Sequence, residues 1–175
     1  MLPLLIVASG SGVIEEYSKA QVLCKDYDVM AVNFGVMVTK RINHLVSLHH
    51  DWMKLFSDIV VIANKQPRES FITYSRRPKL DHVDKVTKWT NEGTQKCGSS
   101  SLFAVDMAIR EGYEKIILCG VPLDGKGHFY DSVKHDLEFM FSPVWRTYPF
   151  KDKVRSMSGL TQEILGEPTK EWLDA

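Results

Sequence analysis

Residues 97–131, CGSSSLFAVDMAIREGYEKIILCGVPLDGKGHFYD, contain a turn, a helix, a strand and a loop in succession. Small residues at Gly98, Ser99 and Ser100 open the helix. Leu102, Val105, Ala108 and Ile109 recur on one side of it, and Asp106 is spaced to pair with Arg110 one turn on. Gly112 suits the left-handed residue that closes a helix. Residues 116–119, IILC, read as a buried strand that Gly120 ends in a polar loop. Such a unit brings a helix N-terminus and a strand end to one edge, where open α/β sheets take their ligands.

The rest of the chain repeats this alternation. Residues 2–7 form a continuous apolar run, the pattern of a parallel strand covered on both faces, and Ser9-Gly10-Ser11-Gly12 follows as a tight turn. Ser11 is placed to cap a helix carrying Ile14, Tyr17 and Gln21. Residues 28–33 and 44–49 read as strands two and three. Asp51 is placed to cap a helix through Trp52, Leu55, Phe56 and Ile59, and 59–63 reads as a further short strand. Residues 65–90 read as an irregular excursion over the sheet edge, with a short strand at 86–89. Residues 133–141 are weakly helical, Pro143 and Pro149 are expected to break the next stretch, and 153–157 reads as the last strand. Ser158 would then cap a short helix through Leu160, Ile164 and Leu165 that stops at Gly166 and Pro168. Strands alternating with helices predict one α/β domain over 1–175, a three-layer sandwich around a mainly parallel sheet with right-handed crossovers.

Bulk composition narrows the function. The 175 residues carry 22 basic and 22 acidic side chains, so the formal net charge is zero and gives no signal for sequence-independent nucleic-acid binding. The apolar start is too short to cross a bilayer, which predicts no membrane partner. Three scattered cysteines (Cys24, Cys97, Cys119) without a CxxC pair suit reduced thiols and a cytoplasmic location. Association into a homo-oligomer is compatible with the composition.

The strand ends define the candidate site. Ser9, Gly10, Ser11, Gly12, Asn33, His49 to Asp51, Gly120 to Asp124 and Ser156 to Ser158 should gather on one rim. The first turn reads G-x-G-x-x-E and strand two ends in Asn33, so a dinucleotide fingerprint is poor; G-x-x-x-x-G-K-[ST] is absent. A looser nucleotide site fits, with turn N–H groups toward phosphate and the Asn33 amide toward ribose or base; a turn with no ligand fits as well. His49 and His50 should point to opposite faces of their strand, which leaves His50 as the candidate ligand contact. Asp124, Lys126, His128, Tyr130 and Asp131 form a loop suited to proton transfer or to plain solvation. His128 is the better base by its intrinsic range, Asp124 by its closeness to the strand end. Arg68, Arg76, Arg77 and Lys79 could close over an anionic donor or form a solvated edge. Arg155, beside Ser156 and Ser158, is placed to offset charge on a leaving phosphate.

Taken in order, these features resemble two related Rossmann-like groups: the small bacterial sialyltransferases that use CMP-sialic acid without a metal, and the archaeal 6-hydroxymethylpterin diphosphokinases. The resemblance rests on the glycine-rich first turn, strand two ending in Asn33, the Gly98-Ser99-Ser100-Ser101 turn, and the strand ending Cys119-Gly120-Val121-Pro122-Leu123-Asp124. It implies that Ser9 to Gly12 face nucleotide phosphates, Asn33 the nucleotide, Ser99 and Ser100 the donor sugar or phosphate, and Gly120 to Asp124 the nucleoside. Tyr130 would match a tyrosine that binds the leaving phosphate. Two departures stand out: the first turn lacks a Pro-Ser end, and Val154-Arg155-Ser156-Met157-Ser158 has no late histidine. The ending MSGLTQEILG also has the look of phage-encoded proteins.

The leading expectation is a nucleotide-dependent transferase acting on a nucleotide-activated sugar, without an obligatory metal because no DxD-type acidic pair stands out. His128 or Asp124 would deprotonate an acceptor hydroxyl, while Tyr130 and Arg155 steady the departing phosphate. One alternative is a diphosphokinase using ATP and magnesium, with Asp124 and Asp51 as metal-binding candidates. Another is a non-catalytic nucleotide-binding protein.

Overall fold

Seven short strands lie side by side in a computed structural model that describes residues 1–76, 82–87, 99–131, 133 and 138–175. In chain order the strands are β1 (Leu4–Val7), β2 (Asp28–Val32), β3 (His44–Val46), β4 (Ile72–Ser75), β5 (Lys85–Val86), β6 (Ile116–Cys119) and β7 (Val154–Ser156). Every neighbouring pair is parallel, and the order across the sheet is β5-β4-β3-β2-β1-β6-β7. The helices are α1 (Val13–Leu23), α2 (Met53–Ala63), α3 (Ser100–Arg110), α4 (Glu138–Thr147), α5 (Gly159–Leu165) and α6 (Lys170–Asp174).

The apolar run at the N-terminus becomes the central strand because both its faces are covered. Leu4 and Ile6 join a core with α3, α4 and α5, whereas Leu5 and Val7 join one with α1, α2 and α6. All four side chains are fully buried, which at about 1.5–3 kcal/mol each makes β1 a major part of the core. The chain runs outward from β1 through β5, then crosses back to β6 on the other side of β1. Right-handed crossovers require the helices to change face at that reversal, which gives the three layers of a Rossmann-like α/β sandwich. Gly35, after β2, lies so close to β1 that a Cβ there would sit 2.0 Å from the Val7 carbonyl oxygen.

Several sequence expectations need correcting. Residues 59–63 are the last turns of α2, because Val60 continues the buried stripe of Met53 and Phe56. The 65–90 excursion contains two true sheet strands: β4 pairs with β3, and β5 pairs with β4. Strand three stops at Val46, and the chain turns through 47–49. Pro143 lies inside α4 instead of breaking the chain there. Gly12 and Trp52, not Ser11 and Asp51, occupy the positions before α1 and α2, and neither helix has a side-chain cap. Ser99 does cap α3, its Oγ accepting from the Leu102 N–H at 3.3 Å. Cys97, Gly98, Arg77, Lys79 and the 88–89 part of the expected strand lie outside the described residues. Cys24 and Cys119 are buried free thiols, both pushed up from the ordinary range chiefly by burial. Among the described residues no helix is long and apolar enough to cross a membrane.

Candidate functional site

A crevice of about 410 Å³ opens at the C-terminal ends of β1 and β6, where the strand order reverses. Ser9 and Gly10 follow β1, and Gly120 to Gly125 follow β6; both segments line it, with Asn33 from the end of β2 and His49 from beyond β3. Ser99, Ser100 and Ser101 close it with the N-terminus of α3, whose first N–H groups have no intrahelical acceptor. Gly127 and His128 cross its mouth, held by a bridge between His128 and Gly10 and by the Phe129 N–H donating to the Ser9 carbonyl at 2.9 Å.

Hydrogen bonds tie these segments together. The Ser47 hydroxyl donates to Asn33 Oδ1 at 2.7 Å and accepts from the His49 N–H at 2.9 Å. The Leu48 N–H donates to Ser100 Oγ at 3.3 Å. Asn33 and Leu123 both hold left-handed backbone, at φ 52° and 51°. Asparagine tolerates that conformation better than leucine, so the strain falls on the β6 loop at the crevice wall. Gly10 is tightly placed: a Cβ would meet Pro122 Cδ at 2.6 Å and the Gly120 oxygen at 2.7 Å.

The polar loop over the mouth has its own order. His128 stacks on Tyr130 with ring centroids 5.0 Å apart and planes 10° apart, and its Nδ1 lies 3.5 Å from an Asp131 oxygen. Partial burial, then the Asp131 charge, hold the Tyr130 phenol above its usual range, with the Ser9 side chain pulling the other way. Tyr130 is therefore a donor at neutral pH. Asp124 lines the crevice but is paired with Lys126 at 3.0 Å.

The crevice brings together Ser9, Gly10, Asn33, Ser99, Ser100, Gly120, Asp124 and His128 from the sequence-derived set. It does not include the others, and Tyr130 lies outside the lining, stacked on His128 at the mouth. Ser11 is exposed, and Gly12 packs on Glu16. His50 pairs with Asp51 at 2.9 Å, and it is His49 that faces the crevice. The parity argument for His50 fails because the strand has already ended. Asp51 is outside the lining, so the carboxylate pair needed by the magnesium reading does not meet in the crevice; among the described residues no group of three or more His, Cys, Asp or Glu could hold a metal ion. Ser156 is buried, its hydroxyl 2.7 Å from that of Thr161, and Ser158 donates to Glu16 Oε1. Arg155 packs over the Trp172 ring and donates to the carbonyls of Lys151 and Val154, which removes it from a role on a leaving phosphate.

Sequence reasoning missed Glu16. Glu15 is the acidic residue of the G-x-G-x-x-E turn, and it pairs outward with Lys19. Glu16 turns inward and accepts from the Gly120 N–H at 2.7 Å as well as from Ser158, so one carboxylate joins α1, β6 and β7 below the crevice. Its position between Val13 and Ala20 on the buried stripe of α1 was the available signal. Compared with protein-family models, with curated proteins and with solved structures, the chain gives no significant match.

Proposed function

We propose that the protein is a nucleotide-dependent transferase that binds a nucleotide-activated sugar in the crevice and moves the sugar to an acceptor hydroxyl. The observation that carries this reading is the convergence of a glycine turn, a helix N-terminus and Asn33 in one hollow, with a histidine stacked on Tyr130 across its mouth. The serine turn and the first N–H groups of α3 suit phosphate oxygens. Val121, Leu123 and Phe141 give the β6 side an apolar wall that suits a base.

His128 is the better base of the two candidates, because its ring is set at the crevice mouth by the stack on Tyr130, whereas Lys126 neutralises Asp124. In the reaction the acceptor hydroxyl gives its proton to His128. Its oxygen forms a bond to the anomeric carbon, and the anomeric carbon–phosphate bond breaks, the electron pair leaving with the nucleotide. The N–H groups at the start of α3 steady the charge that develops on the phosphate.

The test is a thermal-shift panel of nucleotides and nucleotide sugars with and without magnesium, followed by assay of nucleotide release. The reading expects stabilisation by at least one nucleotide sugar without magnesium, and acceptor-dependent release. Absence of any shift across the panel overturns it. A shift that requires magnesium favours phosphoryl transfer, and tight binding with no turnover favours a nucleotide-sequestering protein.

A further inference from the structure

Three separate segments that line the crevice each carry one aromatic ring into the same cluster beside it, in which Phe34 also packs on Phe56 of the core. Phe34 follows Asn33, Trp52 lies three residues past His49 with its N–H donating to the His49 carbonyl at 3.0 Å, and Tyr130 lies two past His128. Phe34 is the hub: its ring meets Tyr130 at 4.8 Å and Trp52 at 5.7 Å, both edge to face. Trp52 is 50% and Tyr130 44% exposed although both pack on Phe34, unusual for large rings beside a ligand-sized hollow. His128 continues the row by stacking on Tyr130.

We propose that this shelf is the acceptor subsite and that it takes the pyranose ring of an acceptor saccharide, its C–H face laid on Trp52 and Tyr130 and one hydroxyl turned toward His128. The inference rests on the transferase reading and names that site's second substrate class. Two observations select a sugar over the donor's base. The crevice, at about 410 Å³, is near the lower end of the roughly 300–1,000 Å³ usual for small-ligand sites, so a nucleotide sugar leaves no space there for a second ring. The base already has an apolar wall on the β6 side, whereas the shelf flanks the opposite rim, past β2 and β3. A pyranose offers the combination the shelf needs: an apolar face for the electron-rich faces of the rings, and hydroxyls along its edge for the histidine.

Saturation-transfer difference NMR with lactose, cellobiose and N,N′-diacetylchitobiose tests this on wild-type protein, Trp52→Phe and Trp52→Ala, alongside nucleotide thermal shifts on the same samples. The expected result is saturation of the ring C–H protons of at least one disaccharide, mostly kept in Trp52→Phe and reduced about fivefold in Trp52→Ala, with nucleotide shifts unchanged. Backbone amide shifts in wild-type protein, expected at Phe34, Trp52 and Tyr130, give the same answer without any variant. No saturation from any disaccharide, or a signal indifferent to Trp52→Ala, overturns the inference; with nucleotide shifts present, the transferase reading survives that result. Loss of the nucleotide shift in Trp52→Ala also overturns it and assigns the shelf to the base. Disaccharide binding with no nucleotide shift keeps the shelf and overturns the donor.

Discussion

At the residue scale, Glu16 and His44 do opposite things with burial. Glu16 is 8% exposed and uses both carboxylate oxygens as acceptors, so Glu16→Ala strands the Gly120 N–H and the Ser158 hydroxyl. That change should cost about 2–3 kcal/mol in urea unfolding and widen the crevice. His44, at the far end of the sheet, lies between two phenols. Its Nε2 is 3.0 Å from the Tyr113 hydroxyl, which donates to Asp28, and its Nδ1 faces the Tyr74 hydroxyl at 3.2 Å. Burial pulls its pKa below the ordinary 6.5; Glu111 and Asp28 oppose the shift and Lys85 adds to it. Below that ordinary value the unfolded chain takes up a proton that the folded ring resists, so stability falls as pH falls. Urea unfolding at about pH 7.5 and 5.5 should show a smaller acid loss in His44→Gln than in the wild type. His128→Gln keeps a polar group at the mouth without a usable base. It should lower transfer about 10²–10⁴-fold and leave donor affinity within a few-fold, as measured by nucleotide release and calorimetry. Asn33, Ser9, Ser99 and Ser100 were legible because small polar residues adjoin apolar runs there, whereas the same signal misplaced Ser11, Ser156 and Ser158. The Glu16 partners were not legible, since they lie 104 and 142 residues away in the chain.

At the scale of elements, the least legible part is the β4–β5 edge. Residues 72–75, ITYS, are short and set among charges, so no period stands out. What makes them a strand is tertiary: β3 pairs along one side, and Asp84 staples the other. Asp84 Oδ2 accepts from the Thr73 N–H at 2.8 Å and from Arg68 at 2.8 Å. Burial would raise the Asp84 pKa, yet the Arg68 and Thr73 bonds outweigh it and hold the carboxyl below its usual range. Arg68, read from the sequence as a candidate anion contact, is thereby committed to the fold. Asp84→Ala should speed hydrogen exchange at Thr73 and at Thr87, whose N–H donates to the Ser75 carbonyl, while β1 amides stay protected. The apolar run 59–63 misled for the opposite reason. A short continuous run fits a buried strand or a buried helix, and only the packing of Phe56 and Val60 beneath the sheet decides.

At the scale of the molecule, the strand order turns scattered turns into one site. Because β1 is central and β6 joins it from the far side, the segments after both strands must share an edge, with the α3 N-terminus over them. The alternation of apolar runs and glycine turns predicted a mainly parallel sheet with strand ends on one rim, but not the strand order that joins β6 to β1. Nor did it predict the aromatic shelf, because Phe34, Trp52 and Tyr130 have no common period and meet only once the strand ends are side by side. The most direct test is an amide-resolved NMR titration with CMP, UDP and ADP. The account predicts that at least one nucleotide shifts the amides of Gly10, Asn33, Ser100 and Gly120 together and leaves those near His44 unmoved. Shifts confined to the His44 end of the sheet, or none with any nucleotide, would contradict it.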